Sequence, residues 1–496
     1  MITLNQKPDF SFLTFFFIGL VVDVSFAQPI SIDQAIAIAM KSNDKILQYQ
    51  QRDLQRSFDT KNAQGSFLPS ITLTGSYNYL NAPLTMDLDP IRDVVLQTQS
   101  ITQVNFASIA SQMNGGAALS DPASPTYQAV YQKAYSALDN QIPHFIDTLK
   151  KQQYPSAAVT AVLPVFTGGR IIAASRAAQA DKKAADFELC KIKNEVLQET
   201  VNNYLSIALL KKVAAVRTDV LAGMEQHKRN AEKLAEQGVI AKYHLLRALV
   251  AVSDAQRNID DDKSKLSMAY LALKKSLNIP YANEIEVADT LTYFPCNDSL
   301  DIFLNYAKSH QPVFSMLMEK RRMAHQKVVA QRGAMLPQVA LYGRAELFTD
   351  YLSALEPPWV VGINASLPIF TGGKNVTSYQ SAKHLEEEAA IIDSAVHNDI
   401  DLWINKAYHD LRTSQQRYAN LNADQNLANE NLRQCQSRFE NGYGTSLEVI
   451  DAQLVVEKNR IDRLVSLYDY CKAINELYTA SGQSESVVAF LHGKGE

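Results

Sequence analysis

The sequence has few of the features that usually carry chemistry. It contains four cysteines among 496 residues and has a formal net charge of −4. Cys190, Cys296, Cys435 and Cys471 lie far apart and show no metal-ligand spacing. A chain so close to neutral has no positive field to attract nucleic acid. The composition therefore predicts neither a metal site nor a nucleic-acid partner.

Catalytic motifs are missing as well. The nine histidines are scattered without an HxxxH or HxH pair, and no Gly-x-Ser-x-Gly motif occurs. The run from Gly372 to Asn375 lacks the spacing of a phosphate-binding loop. We therefore predict that the protein is not an enzyme and that it binds no cofactor.

Long apolar runs are absent beyond the N-terminus, where none reaches the roughly 20 residues that a membrane helix requires. At the N-terminus, Lys7 precedes an apolar run from Phe10 to Val22, and Ser25-Phe26-Ala27 has the small-x-small pattern of a cleavage site. These features predict a signal peptide at residues 1–27 and an exported mature chain. The alternative is a buried N-terminal helix.

What the sequence does contain is one motif that occurs twice. Leu163–Arg170 reads LPVFTGGR, and Leu367–Lys374 reads LPIFTGGK, 204 residues later (367 − 163). Gly238 and Gly442 are separated by the same distance, and each follows a long helical pattern. A period of this length indicates a duplication rather than a solenoid repeat. The sequence therefore predicts one fold that is built from two halves.

Each copy of the motif is predicted to join a strand to a long helix. A proline is tolerated at a strand edge, where its missing N–H is not needed. A glycine pair then lets the backbone turn sharply into the helix. The strand-to-helix turns are predicted at Pro164, Gly168, Gly169, Pro368, Gly372 and Gly373.

The first repeat is predicted to span residues 28–298. Its predicted segments are a helix at 31–66 with a capping box of Ser31 and Gln34, a strand at 71–79, an insertion at 82–155 with short helices at 91–109 and 126–151, a strand at 157–166, a helix at 169–238, a returning helix at 241–277 and an irregular stretch at 281–298. The insertion has no counterpart in the second half, and we expect it to be an external loop.

The second repeat is predicted to span residues 299–480. Its predicted segments are a helix at 299–334, strands at 338–347 and 359–370, a long helix at 373–442 and a returning helix that ends near 480. The apolar spacing along these helices is typical of coiled-coil seams. The C-terminal tail at 481–496 is polar, and we expect it to be loose.

The predicted strands have one apolar and one polar face. Ile71, Leu73, Tyr77 and Tyr79 alternate with polar residues. Strands of this length can cross a bilayer, and aromatic residues at strand ends are typical of its interfaces. Four strands cannot close a membrane barrel, because an open edge is not tolerated in lipid. We therefore expect an oligomer with eight strands from two chains or twelve from three.

The repeated LPxFTGG motif, the segment Phe439–Gln453 and the signal peptide together resemble the TolC-type outer-membrane efflux protein family. The resemblance implies a mixed α+β membrane protein that forms a homotrimer. Its twelve-stranded β-barrel would lie in the outer membrane of a Gram-negative bacterium and continue into a periplasmic α-barrel of long coiled-coil helices. The implied function is a passive exit duct of a tripartite efflux pump or a type I secretion system. The implied partners are a periplasmic adaptor (membrane fusion) protein, an inner-membrane transporter of RND, ABC or MFS type, and outer-membrane lipid.

The resemblance also implies two sets of functional residues. Glu448 and Asp451 match carboxylates that narrow the periplasmic mouth, and their spacing places them on one helix face. In a trimer six such groups would attract cations. Gly238 and Gly442 match the tips that meet the adaptor. The alternatives are a solvated helix face for the acids and ordinary C-cap glycines for the tips.

The sequence departs from the family at the latch of this mouth. The family uses polar contacts between an Asp, a Tyr and an Arg, and the corresponding positions here carry His244, Phe439 and Leu467. Arg460 and Arg463 lie near enough along the chain to serve instead. His244 is either an ordinary exposed histidine or a group that makes opening sensitive to mild acid.

Two other classes of protein remain as alternatives. One is a periplasmic coiled-coil scaffold or adaptor without a pore, which would not need strands with an apolar face. The other is an exported enzyme, which has no catalytic constellation in this sequence. The sequence does not identify the exported substrate.

Overall fold

The computed structural model describes residues 29–353 and 355–493. The predicted signal peptide at 1–27 therefore lies outside the described residues. Among the described helices, none combines the length and the hydrophobicity that a membrane-spanning helix requires.

The described residues form eleven helices and six strands. The helices are α1 (Ile32–Ser42), α2 (Asp44–Gly65), α3 (Asp89–Met113), α4 (Pro125–Asp139), α5 (Arg170–Glu236), α6 (Lys242–Leu277), α7 (Leu300–His310), α8 (Pro312–Gly333), α9 (Lys374–Glu440), α10 (Ser446–Ala480) and α11 (Ser486–Leu491). The strands are β1 (Ser70–Tyr79), β2 (Leu84–Asp87), β3 (Ile146–Lys150), β4 (Gln153–Phe166), β5 (Gln338–Glu346) and β6 (Trp359–Ser366).

The chain divides into two compact units. The helical unit contains residues 29–58, 179–322 and 387–493, and the sheet unit contains residues 59–178 and 323–386. Every strand belongs to the sheet unit, together with the adjoining ends of four helices, α2, α5, α8 and α9.

The main sheet has four antiparallel strands in the order β1-β4-β5-β6. Tyr79 pairs with Gln153, and Ala345 pairs with Trp359. The two hairpin connections, residues 80–152 and 347–358, therefore leave the sheet at the same end. We call this the distal end of the sheet. β1 and β6 each have one strand neighbour, so both edges of the sheet present unpaired backbone groups.

The predicted apolar face of the strands is confirmed, and it is exposed. Ile71, Leu73, Tyr77 and Tyr79 are between 66 and 72 % exposed on β1. On β6, the same holds for Trp359, Val361 and Ile363. Side chains of this size are not left open to water in such a continuous row in most soluble proteins.

The glycine pairs adopt the backbone conformation that the motif predicts. Gly168 and Gly169 have φ of +62° and +84°, and Gly372 and Gly373 have φ of +63° and +79°. Each pair directly precedes a helix of 67 residues. Gly168 is also crowded, because a Cβ added there would lie 2.2 Å from the carbonyl oxygen of Gly333. Among the described residues, no atom would lie within 4 Å of a Cβ added at Gly372.

The two motif prolines do not both lie at a strand end. Pro164 lies within β4, next to a register shift between Pro164 and Phe166 in the pairing with β5. The predicted strand at 359–370 is too long, since β6 ends at Ser366 and Pro368 lies beyond it. Proline has no backbone N–H, so Pro368 cannot donate the hydrogen bond that would continue the strand pairing beyond Ser366.

The insertion departs from its prediction in two places. β4 begins at Gln153 rather than at 157, because its first residues pair with the end of β1. The helix predicted at 126–151 is wrong beyond Asp139. Residues Ile146–Lys150 instead form β3, which pairs with β2. Pro143 follows the end of α4 and cannot continue a helix.

The helices predicted at 31–66 and 299–334 are each broken once. The capping box of Ser31 and Gln34 is confirmed. The breaks fall at Asn43 and Gln311, which are both buried. The Asn43 side chain donates to the carbonyl of Ser276 over 2.8 Å, and that of Gln311 donates to the carbonyl of Ala480 over 2.7 Å. Each break thus supplies a partner for a carbonyl at the end of a returning helix.

The core of the helical unit gathers apolar residues from distant parts of the chain. Its largest fully buried side chains include Tyr204, Phe303, Leu411, Tyr470 and Ile474. The prediction of a loose tail is wrong for residues 481–493. α11 lies there, Val487 is fully buried in this core, and His492 hydrogen-bonds Asp33 over 2.9 Å.

We predict that Gly168→Ala destabilises the protein more than Gly372→Ala. Both substitutions place a side chain at positive φ, which costs about 1–2 kcal/mol. Gly168→Ala adds a clash with the Gly333 carbonyl and should cost at least about 3 kcal/mol in total. Thermal unfolding in detergent measures the difference, and equal losses for the two variants would contradict the assigned packing.

Candidate functional site at the two helix turns

The two long helices end in turns of the same kind. α5 ends at Glu236 and is followed by Gly238 with φ of +73°, and α9 ends at Glu440 and is followed by Gly442 with φ of +74°. A Cβ added to Gly442 would lie 3.5 Å from Val239, so the two turns lie against each other. The Asn230 side chain also donates to Glu440 over 2.9 Å.

A small apolar cluster lies beneath the turns. We call it the turn cluster, and its buried members are Ala231, Ala248, Phe439 and Val449. They come from α5, α6, α9 and α10, so the cluster joins all four helices that end or begin here. Its largest member is Phe439, which is 1 % exposed.

His227 lies beside this cluster and is a residue that the sequence analysis missed. Its Nε2 atom is 2.7 Å from the hydroxyl of Ser446, and its ring is 4.7 Å from that of Phe439. Burial lowers the pKa of His227 to about 4, because the protein offers no compensation for a buried positive charge. His227 is therefore neutral at physiological pH and acts as a hydrogen-bonding core residue.

The two predicted carboxylates lie in the first turns of α10. Thr445 caps this helix by accepting the N–H of Glu448. The Glu448 carboxylate lies 3.8 Å from Arg438 Nη2 and is partly exposed. An acid at this position is also favoured by the N-terminal end of the helix dipole. Asp451 is exposed one turn later.

The positions of the family's latch are not brought together. The ring of His244 lies against that of Tyr243, with centres 4.0 Å apart and planes tilted by 33°. Phe439 lies in the turn cluster, whereas Leu467 lies in the main core of the helical unit. A polar latch of that pattern is therefore not formed by these three side chains.

The two candidate replacements for the latch have other partners. Arg460 lies 3.5 Å from Asp219 on α5, and Arg463 donates to Asn422 on α9 over 2.9 Å. Each arginine thus connects α10 to one neighbouring helix. Neither of these contacts involves His244, Phe439 or Leu467.

A second group that the sequence analysis missed is a buried ionic network. Arg217 on α5 pairs with Asp262 on α6 over 3.1 Å and with Glu457 on α10. Both acids are buried, and Lys265 lies 2.9 Å from Asp262. One guanidinium thus holds three helices together. The pairing joins residues up to 240 positions apart, so no spacing in the sequence could reveal it.

An apolar cavity of about 350 Å³ opens between the same three helices. Its wall includes Val220, Met224, Leu246, Val250, Ile450 and Leu454. Leu246, Val250 and Leu454 are each about half exposed, so the cavity is part of an open apolar surface. Glu457 of the ionic network also lines this cavity.

The profile of a family described as outer membrane efflux protein matches residues 36–278 and 304–483, which is most of the chain. The protein belongs to the outer membrane efflux protein family. It is thus assigned to the outer membrane with a periplasmic extension, in a family of efflux proteins rather than of enzymes.

Individual relatives agree with this assignment. The chain is 26 % identical to the outer membrane protein TolC of Vibrio cholerae over 208 residues, which are 40 % of this chain and 45 % of that protein. The alignment thus spans about half the length of this curated relative.

Two solved structures of outer-membrane proteins share the fold. The CmeC outer membrane channel of Campylobacter jejuni is similar with a TM-score of 0.69 and 15 % identity, over 93 % of this chain and 89 % of that one. The outer membrane protein VceC of Vibrio cholerae is similar with a TM-score of 0.69 and 15 % identity, over 91 % of this chain and 96 % of that one.

We predict that Arg217→Met destabilises the helical unit by about 3–5 kcal/mol, because it leaves the buried Glu457 without its cationic partner and Asp262 with Lys265 alone. The control is Arg257→Met, which removes an exposed pair with Asp254 and should cost at most about 1 kcal/mol. Urea unfolding followed by circular dichroism measures both. Similar losses would mean that the network is not buried as described.

We predict that stability falls as the pH is lowered from about 6.5 to about 4, in part because of His227. Its pKa is lower in the folded state, so the unfolded state binds the proton first and gains stability in this range. The contribution is on the order of 2 kcal/mol.

The test of this pH dependence compares the unfolding of two variants across the range. His227→Gln should flatten the curve, since an amide does not titrate. The exposed His409→Gln is the control and should keep the wild-type slope. Equal slopes in all three proteins would exclude His227 as the cause.

Proposed function

We propose that this protein is a homotrimeric outer-membrane channel and the passive exit duct of a tripartite efflux pump or a type I secretion system. The observation that carries the proposal is the four-stranded sheet, with two open edges and rows of exposed apolar side chains on its edge strands. A periplasmic scaffold, the alternative class, has no need of such a surface.

The open edges of the sheet support an assembly of several copies. Unpaired backbone groups are not tolerated in lipid, so β1 of one copy must pair with β6 of the next until the sheet closes. Known single-chain barrels begin at eight strands. Three copies of this sheet supply twelve strands, which agrees with the trimer that the family resemblance implies.

The lengths of the helices support a duplicated architecture. α1 and α7 each have 11 residues, α2 and α8 each have 22, and α5 and α9 each have 67. At about 1.5 Å per residue, the longest helices extend on the order of 100 Å. We infer that repeats 28–298 and 299–480 contribute equivalent walls to a periplasmic α-barrel.

The partners follow from the family and from the surface near the turns. We infer that Gly238 and Gly442 mark the tips that meet a periplasmic adaptor. The exposed apolar side chains around the 350 Å³ cavity are consistent with contact to another protein in this region. The adaptor would connect the duct to an inner-membrane transporter of RND, ABC or MFS type, which selects the substrate.

The constriction of the duct is proposed at Glu448 and Asp451. Their place directly after the second turn would bring six carboxylates near the axis of a trimer. Such a ring favours cations, because field lines from charges of one sign are focused in a narrow opening. With His244, Phe439 and Leu467 at the latch positions, we infer that the contacts of Arg217, Arg460 and Arg463 hold α10 instead.

We predict that Glu448→Ala/Asp451→Ala raises the single-channel conductance in planar bilayers and weakens its cation selectivity at least threefold, because the charged constriction is removed. The control is Asp260→Ala/Asp261→Ala, which removes the same charge from an exposed part of α6. A change in the control as large as in the test variant would show that total charge, rather than a ring, sets selectivity.

The same recording separates the gate from the channel. A wild-type conductance that neither variant changes would leave the channel in place and reject the carboxylate constriction. A folded protein that does not insert into bilayers, and that fractionates with the periplasm, would reject the channel and support the scaffold.

A further inference from the structure

The insertion between β1 and β4 contains a helix with one buried side and one exposed apolar side. α3 has 25 residues and packs along α4. The corresponding connection between β5 and β6 is much shorter, at residues 347–358. The insertion therefore adds a structured element to the distal end of the sheet on one hairpin only.

One side of α3 is fully used by packing within the insertion. Its buried residues are Arg92, Leu96, Ser100, Val104 and Ser108, which repeat every four positions. The guanidinium of Arg92 donates to the carbonyls of Asp139, Ile142 and Pro143 and pairs with the Asp139 carboxylate over 2.6 Å. This side of the helix is thus fixed against the end of α4.

The other side of α3 is exposed and carries large apolar residues. We call it the α3 face, and it consists of Ile91, Val94, Val95, Ile101, Phe106, Ile109 and Met113, which are between 41 and 83 % exposed. At 100° per residue these positions span about 140° of the helix surface. Thr98, Thr102 and Asn105 lie between them. No charged residue occurs from Val94 to Ser120.

The absence of charge limits what can cover this face. A helix that binds a lipid surface normally presents Lys or Arg to the headgroups. The only cation of α3 is Arg92, and it is buried and paired. An uncharged face with neutral hydrogen-bonding residues can, in contrast, lie against an identical face without like-charge repulsion.

We propose that the α3 face packs against the insertion of a second copy of this chain. The inference rests on the proposed assembly of several copies through β1 and β6. The insertion begins directly after β1, an edge strand, so closure of the sheet would bring the insertions of neighbouring copies to the same end. Contacts formed after this closure are effectively intramolecular and need no further loss of translational freedom.

The test is site-directed cross-linking of the full-length protein in a Cys190→Ser/Cys435→Ser background, which leaves the two buried cysteines. Phe106→Cys, Ile109→Cys and Met113→Cys are treated with a short bismaleimide. Gln132→Cys, on an exposed position of α4, is the control. We expect dimer yields at least tenfold above the control for one or more of the three, and protection of these cysteines from a water-soluble maleimide.

The two proposals fail in different ways. Light scattering on the untreated protein first establishes whether it is oligomeric. A monomer would reject the proposed channel and this inference together. An oligomer in which all three cysteines cross-link no better than the control, or react freely with the water-soluble maleimide, would overturn the inference and leave the channel intact.

A second measurement separates loss of this contact from misfolding of the insertion. Phe106→Ser/Ile109→Ser should lower the temperature at which the oligomer dissociates by at least 5 °C, while the circular dichroism spectrum stays unchanged. Ser111→Ala on the same helix is the control. A dissociation temperature equal to that of the control would contradict the proposed packing.

Discussion

Every backbone N–H and C=O group of a strand needs a hydrogen-bond partner, and in this protein the two edges of the main sheet lack one. β1 and β6 are the edges, and both carry rows of exposed apolar side chains. In a single chain, the backbone groups at both edges therefore lack hydrogen-bond partners, and the apolar side chains of the edge strands remain exposed. The proposed assembly of several copies, the channel and the contact between insertions all rest on this one requirement, whereas the number three comes from the family resemblance.

The helical unit meets the same requirement inside the chain. Asn43 and Gln311 interrupt their helices, and their side-chain amides donate hydrogen bonds to carbonyl groups at the ends of α6 and α10. Arg217 compensates two buried carboxylates on different helices. The neutral imidazole of His227 forms a hydrogen bond with the hydroxyl of Ser446. These polar contacts fix which helices are neighbours, since apolar seams alone tolerate sliding.

Predictions from the sequence hold where the signal is local. Gly168, Gly169, Gly372 and Gly373 were predicted from their spacing, and all four have positive φ. Predictions from the sequence fail where pairing with a distant segment decides the local structure. Ile146–Lys150 resembled a continuation of α4 but pairs with β2, and the polar residues at the start of the tail concealed the buried Val487. Glu448 and Asp451 are proposed through the family resemblance, whereas no local pattern in the sequence points to the buried contacts of Arg217 and His227.

The sequence by itself determined the long helices, the four strands of the main sheet and their order, because alternation, helical spacing, proline and glycine act within a few residues of one another. It also determined the family, through a motif that occurs twice. Only the tertiary structure decided which helices Arg217 joins, that Phe439 packs in an apolar cluster beneath the turns, and that α3 keeps one apolar face open. The reason is that these contacts join residues far apart in the chain, and a helix or strand pattern shows which face is apolar but not what that face meets.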